Sequence, residues 1–299
     1  MDLATLRQRF HLPGITFDDQ NGLARVSIAT QHATATIYLQ GAHLAAWQPT
    51  GFQPVIFMSR QTDLTPGKPL RGGIPVVFPW FSGDKKKDRI DGHPGPSHGF
   101  ARTQNWTVAS IRRAGPDILL SFELGATPTS RALGYDHFQL RLDFRIGRAL
   151  GMALTVTNAG LQPLSFEDCL HTYFFVTDVH EASVLGLEPT PYIDKTDANQ
   201  GKPATGQPIR FTATTDRIYA NTEAPITILD GAGHRRILLR RTNSRDSIVW
   251  NPWDKLVDLG PWEWHEMLAI ETANVNGNAI TLAPTQHHTM ESHITVEKT

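Results

Sequence analysis

Phe138 to Ile146 reads FQLRLDFRI, and Leu150 to Asn158 reads LGMALTVTN. In the first stretch Phe138, Leu140, Leu142, Phe144 and Ile146 alternate with Gln139, Arg141, Asp143 and Arg145, and in the second Leu150, Met152, Leu154 and Val156 keep the same period. A period of two puts the apolar side chains on one face of a strand and the polar ones on the other. The two runs are therefore predicted to pair as a hairpin that turns near Gly147 to Ala149.

Working outward, shorter alternating runs begin at Leu23 (LARVSIA), Ala33 (ATATIYL), Trp106 (WTVASIR), Ile118 (ILLSFEL), Arg235 (RRILLRR) and His288 (HTMESHITVE). Gly, Pro, Asn and Asp fill the gaps between them. Only the opening segment, with Leu3, Leu6 and Phe10, has approximate helical spacing. Many short strands and scarcely any helix predict an all-β chain, a large antiparallel β-sandwich or barrel. No interdomain linker or internal repeat interrupts it, so residues 1–299 are expected to form one domain. Two stretches read as long loops suited to lids or binding: SGDKKKDRIDGHPGPSHG from Ser82, and EPTPYIDKTDANQGKPATGQP from Glu188.

Composition narrows the function. The 299 residues are 40% hydrophobic and 19% charged, enough apolar material for a sizeable core. With 28 basic against 29 acidic residues the formal charge is -1, which lacks the positive field that nucleic-acid binding exploits. No apolar run approaches the roughly 18 to 20 residues of a membrane helix, and MDLATLRQRFHLPG lacks the apolar core of a signal peptide. The expectation is a cytoplasmic protein, monomeric or weakly dimeric, with neither nucleic acid nor membrane as partner. The single cysteine, Cys169, excludes an intramolecular disulfide and a thiolate zinc cage; in LSFEDCLHTYFF it reads as a small buried residue.

Four segments break the simple pattern. RGGIPVVFPWF from Arg71 must bend tightly and brings an arginine beside an aromatic wall, and HGFAR sets His98 and Arg102 four residues apart around a glycine. CLHTYFF carries His171, and MLAIETANV carries Glu271, inside apolar strands. Burying such groups unpaired is costly, so each needs a reason. Taken singly, each has an ordinary explanation: a satisfied core histidine, a strand-end glutamate, arginines paired at the surface with Asp84 or Asp91. Together, an acid and a base in apolar strands with arginines on Gly-rich loops suit a polar substrate in a β scaffold.

The order RGGIPVVFPWF, HGFAR, LHTYF, TDRIY, WNPW and an IET glutamate resembles the hexose-6-phosphate mutarotase (glucose-6-phosphate 1-epimerase) family, relatives of galactose mutarotase, over roughly Arg71 to Glu271. The resemblance implies a twisted sandwich whose open, concave sheet face holds the sugar. It implies His171 as general acid, Glu271 as general base, Asp216 on sugar hydroxyls, His98 at the ring side, and Arg71 with Arg102 at the phosphate of a small-molecule sugar phosphate. Trp253 and Phe81 are implied as apolar walls. The KKKDR loop and the WEWH stretch from Trp262 match no part of the pattern.

Such an enzyme interconverts anomers by opening and reclosing the ring, which needs one acid, one base and no metal or organic cofactor. The chain has thirteen histidines, but the pairs His93 with His98 and His287 with His288 lack a carboxylate at ligand spacing. A non-catalytic sugar-phosphate sensor, or an aldose 1-epimerase for unphosphorylated sugars, remains open as an alternative. A glycoside hydrolase fits less well, because its usual route takes two carboxylates and the acid position here is a histidine.

Overall fold

A computed structural model describes residues 2–83 and 94–299. Lys85 to Lys87, Asp84, Asp91 and His93 lie outside the described residues, and with them the expectations placed on the KKKDR loop. The remainder is built almost wholly from antiparallel strands, an all-β fold as expected.

The predicted hairpin is present. Phe138–Ile146 pairs with Leu150–Asn158 from Phe138 opposite Asn158 to Ile146 opposite Leu150. Leu140, Leu142, Ile146, Leu150, Leu154 and Val156 are completely buried. Each such side chain contributes about 1.5 to 3 kcal/mol, so a one-residue slip that turned them outward would forfeit most of the core. Among the described residues this hairpin sits in a nine-stranded sheet, ordered Ile209–Arg210, Ala182–Leu185, Ile226–Asp230, Arg235–Thr242, His287–Lys298, Leu150–Asn158, Phe138–Ile146, Asp117–Leu124 and Thr107–Ala114.

A second sheet carries the segments that broke the pattern. Its order is Gln200–Lys202, Tyr192–Asp194, Thr215–Ala220, Asp246–Asn251, Met267–Asn274, Asp168–Leu170 and Val76–Val77, with Tyr173–Phe175 also paired to Met267–Asn274. Every residue of Met267–Asn274 is buried. Leu268 and Ile270 turn into the main core, whereas Ala273 packs with Cys169, Ile218 and Ile248 on the opposite face. A four-stranded meander of Ile15–Gln20, Leu23–Ala29, Ala33–Tyr38 and His43–Pro49 completes the larger elements.

The helix Leu3–Arg9 forms as predicted, capped by the Asp2 side chain, and buries Leu6. A five-residue helix, Pro128–Ala132, was not legible, because one turn shows no period; its start is a capping box between Thr127 and Ser130. The stretch from Glu188 is not wholly loop. Tyr192–Asp194 and Gln200–Lys202 pair as a small hairpin at the edge of the second sheet, too short and too rich in Asp and Gly to display alternation. Among the described residues no helix is long and apolar enough to cross a membrane.

Candidate active site

The register of the second sheet brings the site together. Asp216 lies opposite Trp250, Trp250 opposite Ala269, and Ala269 opposite Tyr173, while Glu271 lies opposite Ile248 one step along. Opposed residues in an antiparallel pair share a face, so Asp216, Trp250, Glu271 and Tyr173 emerge on one side. His171 joins them from the link between Asp168–Leu170 and Tyr173–Phe175, its N–H donating to the Pro75 carbonyl at 3.0 Å.

At the centre His171 Nε2 lies 3.2 Å from Glu271 Oε1, both side chains almost wholly buried. Burial pushes the Glu271 carboxyl up to about 8; Asp216 adds to the rise, while the Cys169 thiol and Lys195 oppose it. Burial, with help from His98, Arg102 and Arg71, holds the His171 imidazole well below its ordinary value. Near neutral pH the pair therefore holds a single proton between Nε2 and Oε1, and it titrates as a unit.

His98 sits with φ 60, an orientation set by the tight HGF turn in which a side chain at Gly99 would collide with the Phe78 carbonyl. Its Nδ1 accepts the Ser82 N–H at 3.2 Å, so the neutral ring carries its proton on Nε2. Burial and then Arg102 bring its pKa down to about 3, which keeps that ring neutral. The rings of His98 and His171 stand 5.7 Å apart, and Phe81 packs edge-on against His98 at 5.0 Å.

Two cationic poles flank this centre. Arg71 donates to Asp258 Oδ1 at 3.0 Å and to the Tyr173 hydroxyl at 2.9 Å. Arg102 lies within electrostatic range of Arg71 and Asp258; its Nη2 donates to the Ser97 carbonyl at 2.7 Å, while its buried Nε finds no partner. On the other side Lys195 contacts Asp216 Oδ2 at 3.1 Å and stands over the Phe81 ring at 5.4 Å. Among the described residues no group of three or more His, Cys, Asp or Glu side chains is arranged to hold a metal ion.

Residues 24–295 match the aldose 1-epimerase family, nine-tenths of the chain and all of the residues just described. The chain belongs to the aldose 1-epimerase family. It is 31% identical over 278 residues to a protein of Cenchrus ciliaris, covering 88% of this chain and 82% of that one. It is 33% identical over 218 residues to a protein of Escherichia coli K12, covering 73% and 70%. Both relatives carry the name "Putative glucose-6-phosphate 1-epimerase". A crystal structure of a "putative mutarotase" from Salmonella typhimurium superposes with a TM-score of 0.88 at 26% identity, covering 96% of this chain and 95% of that one.

As an aldose 1-epimerase the protein is an isomerase, and its structure brings together seven of the eight residues singled out in the sequence. Trp253 is the exception. Its ring packs on Trp264 at 4.7 Å and His180 at 4.9 Å, and the tryptophan whose ring meets His171 is Trp250, at 6.3 Å. Four further residues of the candidate site carried no signal that was used in the sequence. Cys169 and Tyr173 stand two residues on either side of His171, a spacing that alternation alone could have flagged. Cys169 is buried as expected, but its thiol also donates to Glu271 Oε2 at 3.0 Å. Lys195 and Asp258 come from irregular segments with no such signal.

Proposed function

We propose that this aldose 1-epimerase interconverts the α and β anomers of an aldohexose 6-phosphate, with glucose 6-phosphate as the main substrate. The observation that carries the catalytic half is the buried 3.2 Å contact between His171 Nε2 and Glu271 Oε1. With the shared proton on His171, the Glu271 carboxylate is free to take the proton of the C1 hydroxyl while His171 gives one to the ring oxygen. The bond from C1 to the ring oxygen breaks, the aldehyde turns about its bond to C2, and closure runs the same transfers backwards. His98, through Nε2–H, and Asp216 hold sugar hydroxyls, and Phe81 supplies an apolar wall. Each proton transfer of this kind contributes roughly 10² to 10⁴ in rate.

The unpartnered Arg102 Nε beside Arg71 supports the phosphate half. Two guanidinium groups sharing one carboxylate leave positive charge over, and a phosphate dianion uses it through paired, charge-assisted bonds. The ion pair of Arg71 with Asp258 favours the second reading, an epimerase for unphosphorylated aldoses, because it already answers one of the two charges.

Anomer exchange followed by NMR for glucose 6-phosphate and glucose separates the two. Arg71→Ala and Arg102→Ala are expected to raise KM for glucose 6-phosphate far more than for glucose, by about 1.5 to 3 kcal/mol for each charged hydrogen bond to the phosphate that is removed. Equal wild-type efficiency on both sugars would make it a general aldose mutarotase rather than one for hexose phosphates. Exchange is expected to persist in a strong chelator; loss on chelation with recovery on adding a metal ion would overturn the metal-free route.

A further inference from the structure

Tyr173 touches both halves of the site. Its ring lies 4.7 Å from that of His171 with only 8° between the planes, a stacked pair. Its hydroxyl accepts from Arg71 Nη1 at 2.9 Å. Trp250 closes the back of the stack edge-on, at 6.3 Å from His171 and 5.9 Å from Tyr173. Tyr173 itself is 3% exposed, and its backbone is paired to Ala269. Such a ring has no room to move without moving one of its neighbours.

The guanidinium of Arg71 has five N–H donors, and the contacts to Asp258 and Tyr173 occupy one on Nε and one on Nη1. Its remaining donors are left for a ligand, and the direction in which they point is fixed by Asp258 and Tyr173 together. The stack does the same for His171, whose Nδ1 is buried without a hydrogen-bond partner. His171 is thus oriented by its contact with Glu271 at Nε2, by its backbone, by the stacked face of Tyr173 and by the perpendicular ring of Trp250.

We propose that Tyr173 is a positioning residue that ties phosphate recognition at Arg71 to proton transfer at His171, and so makes the enzyme selective for phosphorylated aldoses. Binding energy at a remote group of the substrate accelerates a reaction only if it goes into the alignment of the reacting centre. A hydroxyl on the anion side and a ring face on the imidazole give Tyr173 the means to pass it on. The inference rests on Arg71 as a phosphate ligand, and the experiment tests that reading separately.

Anomer exchange is measured on glucose 6-phosphate and on glucose for wild type, Arg71→Ala, Tyr173→Phe and Tyr173→Leu. Tyr173→Phe keeps the stacked ring and deletes the hydroxyl, so the ratio of kcat/KM on glucose 6-phosphate to that on glucose should fall about tenfold, the scale of one charged hydrogen bond. Tyr173→Leu deletes the ring as well, so kcat should fall on both sugars, with Phe at the same position restoring much of the loss on glucose. If Arg71→Ala lowers the ratio and Tyr173→Phe does not, the inference is overturned and the phosphate reading stands. If Arg71→Ala leaves the ratio unchanged, the phosphate reading fails and takes the inference with it. Should Tyr173→Leu fail to fold, the comparison of Tyr173→Phe with Arg71→Ala still decides.

Discussion

His171 and Glu271 act on one proton, and that fixes what their removal does. On the proposed roles, His171→Asn and Glu271→Gln each abolish one transfer with little change of size, and each is expected to lower kcat by at least about 10² while leaving sugar binding largely intact. The double variant should lose little more than either single one, because the two transfers belong to one cycle; multiplicative losses in steady-state anomer exchange would separate their roles. His171 was legible because a histidine in CLHTYFF has to be explained, and Glu271 for the same reason in MLAIETANV. Lys195 was not legible, since a lysine in DKTD is what any solvated turn contains, and only the fold turns it over Phe81.

At the scale of elements, the Gly-rich segments serve the site through backbone shape. Gly72 and Gly73 have φ 99 and 65, where side chains would meet the Phe57 to Ser59 backbone and His43. Gly99, with φ 69, lets the chain turn so that Phe100 and Ala101 donate to the Phe78 carbonyl at 3.0 and 3.3 Å. Gly99→Ala is expected to cost at least about 2 kcal/mol, from the left-handed conformation and the collision with Phe78, and to lower activity further by shifting His98. A thermal midpoint and an exchange rate both within error of wild type would refute this. Six of the nine strands of the nine-stranded sheet, from Thr107–Ala114 to Arg235–Thr242, were legible because one face is buried and alternation survives, whereas Ile226–Asp230, Ala182–Leu185 and Ile209–Arg210 at its other end went unread. The Met267–Asn274 strand is buried on both faces and shows no alternation, so its place came from the chemistry of Glu271 rather than from its period.

For the molecule as a whole, buried ionisable groups set how stability follows pH. Asp168 is fully buried, its Oδ2 has no partner, and burial pushes its pKa up to about 7 from 3.8, as it pushes Glu271 up to about 8 from 4.5. A raised folded value means stability that is complete below the unfolded pKa and lost as pH climbs through the folded one. His43, His98 and His171 are depressed from 6.5, the first two to about 3, so their contribution is complete above 6.5 and lost on acidification. Between about 6.5 and 8 only the raised acids among these groups change, and stability should decline with rising pH. If residues 1–299 fold as one domain, calorimetry is expected to give one cooperative transition, with its midpoint highest near pH 6.5. Asp168→Asn and Glu271→Gln together should flatten the alkaline side; a decline left unchanged in that double variant would exclude these two acids as its cause.

The 3.2 Å contact of His171 with Glu271 also closes a circuit. On the proposed roles, ring opening leaves Glu271 holding the proton it has taken and His171 without the one it has given, and ring closure on the other face returns both. The pair therefore ends each turnover with the protons it began with, shared across that one contact, with no delivery from water. A catalyst that reloads itself this way draws nothing from the medium between turnovers. Its speed is then indifferent to how much buffer surrounds it, whereas the same sugars left to themselves open only as fast as the acids and bases dissolved around them allow.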